Sequence, residues 1–202
     1  VSTSVTELPD LAGAIIRAWR LLYPDPERNW RGDPGGRAAL RRAATPEAVM
    51  VEPAFHDILI AVSESNVDLP TRADANLYPW LAVAIGALAQ RRSGDGGGQR
   101  FAAALGGSSK PEERRFKTLR FQGLIAALDR SPDAETLAAL RRGMAIIADE
   151  NINARQFVRD LLSWSDKTRI AWTFDYFGQP TRPQTSTADT PATTHELEEQ
   201  AK

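Results

Sequence analysis

The stretch Ser131-Pro-Asp-Ala-Glu-Thr-Leu-Ala-Ala-Leu-Arg-Arg-Gly-Met-Ala-Ile-Ile147 decides how this chain folds. Leu137, Leu140, Met144 and Ile147 recur at i, i+3, i+7 and i+10, which places four apolar side chains on one face of an α-helix. Ser131 before Pro132 reads as an N-cap with proline at the first helical position, where its missing N–H removes no hydrogen bond. The apolar stripe fixes the inward direction. Arg142 is therefore predicted nearly opposite it and Arg141 on its flank, both reaching solvent.

The same periodicity continues outward from this helix. Leu11, Ile15, Trp19 and Leu22 keep one face while Arg17 and Arg20 leave on another. Ser109-Lys-Pro-Glu112 has the capping-box pattern and predicts a helix running to about Leu128, and Asn153 reads as the cap of a helix carrying Phe157, Val158, Leu161 and Leu162. Further helices are expected near 34–43, 53–62, 70–92 and 166–177. No stretch alternates as a strand, and no internal repeat is visible. The expectation is an all-α bundle of about eight or nine helices in two small packed subdomains.

Composition sets the bounds. With 202 residues, 42% of them apolar and 25% charged, the chain has the make-up of an ordinary folded domain. It contains no cysteine, which excludes disulfides, cysteine-ligated metal centres and thiol nucleophiles. The longest nearly unbroken apolar stretch, Leu77 to Ala89, falls short of the roughly 20 residues a membrane-spanning helix needs. The first ten residues carry acids where a secretory signal carries bases, so the expected location is the cytoplasm. Residues 1–10 read as an N-terminal arm and 11–178 as the helical body, with a break near Ser93-Gly-Asp-Gly-Gly-Gly98. Residues 179–202 are rich in Pro, Thr, Ser and Glu and read as an acidic tail expected to be disordered. The arm and the tail each contribute −2, so the total charge of −1 leaves +3 on the body.

Few residues offer catalytic chemistry. His195 falls in the tail and His56 follows Phe55 in a helix, too little for a histidine triad or a two-histidine metal site. The acid pairs Glu112-Glu113 and Asp149-Glu150 diverge by about 100° on a helix and suit its ends instead. The Gly94–Gly98 run lacks the Lys-Ser/Thr of a phosphate-binding loop. What remains is arginine, doubled at Arg41-Arg42, Arg91-Arg92, Arg114-Arg115 and Arg141-Arg142. Arg120 is predicted to lie beside Gly123 and Ala127, between an apolar face of Phe121, Leu124, Ile125 and Leu128 and another of Phe116 and Leu119. A guanidinium beside small residues makes a shallow cationic shelf for a phosphate or an acidic partner. The alternative is a solvated helix face with local ion pairs. Trp19, Trp80, Trp164 and Trp172 sit in apolar contexts and are assigned to the core. Trp30, between Arg28 and Arg31, is the one aromatic expected at the surface.

At these residues the chain resembles the CasB family, the small subunit of the type I-E CRISPR complex Cascade. The resemblance rests on Arg17-Ala-Trp-Arg-Leu-Leu22, Arg31-Gly-Asp-Pro-Gly-Gly-Arg-Ala-Ala-Leu-Arg-Arg-Ala43 with Glu52-Pro-Ala-Phe55, and the Leu/Ala-rich run Leu81 to Ala89. It continues through Phe101-Ala-Ala-Ala-Leu105, Glu113-Arg-Arg-Phe-Lys-Thr-Leu-Arg-Phe-Gln-Gly-Leu-Ile125, Leu137 to Arg142, Leu161-Leu-Ser-Trp164 and Trp172. The order of these segments, over roughly residues 12–178, carries more than any one of them. The resemblance implies an all-α, non-catalytic subunit that binds nucleic acid without sequence preference through a basic surface. In the complex it would help hold the displaced non-target DNA strand and stabilise the R-loop. The implied partners are the other Cascade subunits with their CRISPR RNA, displaced single-stranded DNA and a second copy of itself. Carried over by motif, the nucleic-acid-binding residues are Arg41, Arg42, Arg120, Arg141 and Arg142, with Arg115 and Lys117 as nearby basic candidates. No catalytic residue, metal or cofactor is expected. The chain departs from the family pattern at Ala126 and Ala127, where many members carry another base, and in its acidic tail. The competing expectation is a protein-only scaffold whose arginines meet acidic surfaces of the other subunits.

Overall fold

The computed structural model describes residues 8–65, 67, 69, 76–92, 97–108 and 110–178. The start of the predicted helix at 70, most of the glycine run, the acidic tail with His195 and most of the N-terminal arm lie outside the described residues. Within them the chain forms ten α-helices and one 3-10 turn. The helices are α1 (Leu8–Arg20), α2 (Pro34–Arg42), α3 (Pro46–Met50), α4 (Pro53–Glu64), α5 (Leu77–Leu88), α6 (Phe101–Gly106), α7 (Thr118–Leu128), α8 (Ala134–Ile146), α9 (Ala154–Leu162) and α10 (Asp166–Phe177). The all-α expectation holds, with more helices than the sequence reading counted. Two of the ten, α3 and α6, were not expected; α3 is a five-residue turn started by Thr45, whose hydroxyl accepts from the Ala48 amide at 3.1 Å. Such a helix is too short to show a periodic stripe.

The apolar run Leu77 to Ala89 is the centre of the molecule. Every residue from Leu81 to Ala89 is buried, as befits a helix apolar on all sides. Helices α2, α3, α8 and α9 pack around α5, α1 lies against α4 and α9, α7 lies against α8, and α6 pairs with α10. One cluster of buried side chains runs from Leu11 on α1 to Tyr176 on α10. Trp19 and Trp172 are buried in it, and Trp80 and Trp164 pack against its edge. No helix among the described residues is long and apolar enough to cross a membrane.

Two predicted helix starts move. The cap of α8 is Asp133, which accepts from the Thr136 amide at 2.9 Å, while the Ser131 hydroxyl donates to the Asp133 carboxylate at 3.1 Å. An ionised carboxylate is the better acceptor for the first-turn amides. The predicted helix from Ser109 does not run through to Leu128. A 3-10 turn at Pro111–Glu113 is followed by an extended segment, and the helix begins only at Thr118. Tertiary contacts override the capping box here. The buried Phe116 donates its amide to Leu105 O at 3.1 Å, and the buried Arg114 sits over the rings of Tyr176 and Phe177. In contrast, Asn153 caps α9 as read, accepting from the Gln156 amide at 2.8 Å.

The tightest helix contact is between α6 and α10. A Cβ added at Gly106 would lie 2.2 Å from Tyr176 O. Gly106→Ala therefore forces two backbones apart, and we expect it to cost about 1–3 kcal/mol, read as a lower urea midpoint by circular dichroism. Asp133→Ala should cost about 1 kcal/mol at neutral pH. The Thr136 amide holds the Asp133 carboxyl below its ordinary range. Its contribution is thus complete above the unfolded value of about 4 and is lost as pH falls through the lower folded one. The gap in midpoint between wild type and Asp133→Ala should close on acidification.

Candidate nucleic-acid interface

The doubled arginines divide their labour. In Arg91-Arg92 the first is buried and donates to Glu150 O at 3.0 Å, while the second is exposed and pairs with Asp149 at 3.1 Å. In Arg114-Arg115 the first is buried and donates to the Thr118 hydroxyl at 3.2 Å, while the second is exposed and pairs with Glu150. Neither doublet is helical, since Arg91-Arg92 follows the end of α5 and Arg114-Arg115 stands in the segment between the 3-10 turn and α7; the rule in both is one side chain docked on the core and its neighbour left outside.

Arg141-Arg142 follows the same rule, which corrects the expectation that both reach solvent. The half-buried Arg141 donates Nε to Gly86 O at 3.1 Å and its two terminal nitrogens to Ala43 O and Leu40 O, each at 2.5 Å. All three acceptors belong to the C-terminal ends of α2 and α5, where the last carbonyls of a helix have no partner of their own. The positive group also sits where the helix dipoles are negative. Burial pulls the Arg141 pKa down, yet arginine keeps its charge in proteins. Gly86 makes room for it, since a Cβ there would stand 3.1 Å from the guanidinium. The flank of α8 assigned to solvent is covered by α5 and by the end of α2.

Arg142 points the other way, toward α7. Together with Arg120, Phe116, Gly123, Leu124, Glu135 and Ala139 it lines a groove of about 410 Å³ between α7 and α8. Both arginines are exposed, and neither makes an ion pair or side-chain hydrogen bond with a described residue. Gly123 has open space where a Cβ would be, which keeps the floor shallow. At one end of the groove Glu135 is occupied by Arg130 at 2.7 Å. The predicted shelf beside Arg120 is therefore present with two changes. Ala127 is buried and does not line it, and Leu119, assigned to a packed face, is 82% exposed. Ala139 was the residue missed. Arg120 and Gly123 on α7, like Ala139 and Arg142 on α8, are three apart, a spacing that stacks a small residue beside an arginine on each wall.

The other candidates do not line this groove. Arg41 and Arg42 are exposed at the last turn of α2, which Arg141 fastens to α8. They make no ion pair with a described residue. Lys117 caps the start of α7, exposed, with its ammonium donating to Glu112 O at 2.8 Å. Arg115 is half-neutralised by Glu150. Of the two alanines at which the chain departs from the family pattern, Ala127 is buried and only Ala126 stands at a surface position. Trp30 is 48% exposed, its indole donating to Leu21 O at 2.7 Å and its backbone paired with Asp25. His56 is an exposed helix residue edge-on to Phe55. The acids Glu113 and Asp149 are engaged by Lys110 and Arg92.

Fold and groove together define an all-helical protein with an open cationic surface. The model of the family described as CRISPR-associated protein Cse2 matches residues 36–177. The chain belongs to that family, CasB, the structural small subunit of type I-E Cascade. No curated protein and no solved structure gives a significant match. The matched range contains every candidate basic residue named above.

Arg141 and Arg142 should separate cleanly by mutation. Arg141→Ala leaves three carbonyls at helix ends without their donor, and a loss of about 2–4 kcal/mol in urea unfolding is expected. Arg141→Lys should recover little of it, because an ammonium cannot reproduce the planar fork. Arg142→Ala should stay within about 0.5 kcal/mol of wild type.

Proposed function

We propose that this chain acts in the cytoplasm as a non-catalytic Cascade subunit that grips nucleic acid by its backbone, holding the displaced non-target strand and so stabilising the R-loop. The observation that carries this reading is the groove in which Arg120 and Arg142, from different helices, stand exposed without an anionic partner. A displaced strand differs in sequence at every target, so a subunit serving all targets must bind phosphate and leave the bases unread. Guanidiniums suit that task, since each presents a fork that matches two phosphate oxygens. Arg41 and Arg42, exposed at the end of α2, and Lys117, exposed at the start of α7, supply further cations for the same backbone. Arg141 is removed from the contact set and becomes the residue that fixes where Arg41, Arg42 and Arg142 stand. Because strand exchange in an R-loop is nearly balanced, a few kcal/mol of phosphate contacts is enough to tip it. A second copy of the subunit would lengthen the track along the strand.

The test is fluorescence anisotropy with two unrelated single-stranded DNAs across a salt series, on wild type and on an Arg41→Ala/Arg42→Ala/Arg120→Ala/Arg142→Ala variant. Both sequences should bind alike. Affinity should fall on a log–log salt plot, and the variant's slope should flatten by about 0.7 for each phosphate contact removed. Absence of binding at low salt, or loss of assembly with intact binding, would instead favour a scaffold whose arginines meet acidic protein surfaces.

A further inference from the structure

Trp30 is the exposed tryptophan of the fold, and it is exposed without being loose. It is 48% exposed, yet its position is set by three hydrogen bonds. Its amide donates to Asp25 O at 2.9 Å, its carbonyl accepts from the Asp25 amide at 2.8 Å, and its indole Nε1 donates to Leu21 O at 2.7 Å. Between the paired residues the chain reverses through Asn29, whose φ of 50° lies in the left-handed region that asparagine tolerates. Just beyond Trp30 the backbone is pressed against the end of α1, where a Cβ added at Gly32 would stand 2.6 Å from the carbonyl carbon of Tyr23. The indole is therefore ordered before any ligand arrives, and a contact made on it carries little further entropic cost.

The same bonds decide what the side chain has left to offer. A tryptophan at a contact between proteins commonly uses its N–H as a polar handle for the partner, but here Leu21 O has taken it. What stays open is aromatic surface alone. In the turn it is flanked by Arg31, exposed and without an ion pair or side-chain hydrogen bond to a described residue, and by Arg28, exposed and loosely paired with Asp25 at 3.6 Å. Asp25 is engaged by the amides of Glu27 and Arg28 at 3.1 and 3.3 Å, which leaves Glu27 as the acid of the turn outside these bonds. An aromatic ring between guanidiniums is what a single strand needs, a base for the ring and phosphates for the cations.

The turn is also joined to the helix that carries two of the candidate arginines. Asp33 caps α2 three residues beyond Trp30, and its amide donates to Leu22 O at 3.2 Å. Arg41 and Arg42 stand at the other end of that nine-residue helix, about 14 Å along its axis. A few nucleotides of extended strand cover that distance.

We propose that Trp30 is a stacking platform for a nucleobase of the bound single strand, with Arg31 and Arg28 on the adjacent phosphates. The inference rests on the proposed function in that the ligand is the same strand. Every base has a π-face, so the platform adds affinity without adding sequence preference. It does add a preference for form. Phosphate contacts accept a duplex and a single strand alike, whereas the bases of a duplex are already stacked on one another and leave no face for the ring.

The test is fluorescence anisotropy on the full chain with a labelled oligothymidylate and with an abasic strand of the same length and charge. Wild type should prefer the base-bearing strand by about tenfold, and Trp30→Ala should bind the two alike. Trp30→Phe should keep most of the preference; it too lacks the bond to Leu21 O, so it separates loss of the ring from loss of the turn. The salt slope should be unchanged in Trp30→Ala and flatter by about 0.7 in Arg31→Ala. Equal affinity of wild type for the two strands overturns the inference and leaves the proposed function standing, as does a preference that survives Trp30→Ala. Failure of wild type to bind either strand at low salt counts against both. Wild-type DNA binding by Trp30→Ala with loss of assembly makes the turn a protein contact, against this inference alone.

Discussion

One guanidinium closes the ends of two helices. Leu40 O and Ala43 O at the end of α2 and Gly86 O near the end of α5 are carbonyls that helical geometry leaves without amide partners, and they converge on Arg141. The interaction joins segments that lie far apart in the chain and fixes their mutual placement. Without a donor at this point, burying those carbonyls between α2, α5 and α8 would be costly. With it, α8 is held in a single rotational setting against the all-apolar α5.

The rotational setting decides the surface. Because Arg141 is turned toward α5 and α2, its neighbour Arg142 is turned toward α7 and meets Arg120 across the groove. The end of α2, with Arg41 and Arg42 exposed on its last turn, is held against α8 by the same Arg141 contacts. The pairing of Arg120 with Arg142 across the groove thus follows from the setting of one half-buried arginine. The other two divided doublets work in the same sense. Arg91 and Arg114 tie loops to the core, and Arg92 and Arg115 are left outside with the acids Asp149 and Glu150. Local charge is thereby neutralised around the end of α8 and remains open at Arg41, Arg42, Arg120 and Arg142.

Much of this was legible in the sequence, because periodic apolar faces and caps are local signals. Helix α10 begins and ends where expected, α9 has its predicted Asn153 cap, and the Leu77 to Ala89 run is the central helix its uniform apolarity implies. Failures occur where a distant segment takes over. The capping box at Ser109 gives way to an extended segment because Phe116 and Arg114 dock on α6 and α10. The flank of α8 is lost to solvent because α2 and α5 cover it, and no periodicity within α8 records that. Arg120 was found from the small residue three positions on, and the same rule applied to Arg142 would have found Ala139. Roles for individual arginines came from the family resemblance, which treats Arg141 and Arg142 alike; only packing tells them apart.

The most direct measurement is hydrogen exchange at the arginine Nε–H groups, followed by NMR on the intact protein. A group donated to a buried carbonyl exchanges only when the structure opens, whereas a solvated one exchanges at once. The account predicts strong protection at Arg141 Nε and none at Arg41, Arg42, Arg120 or Arg142. Exchange at Arg141 as fast as at Arg142 would contradict it, because the guanidinium would then not be closing the ends of α2 and α5.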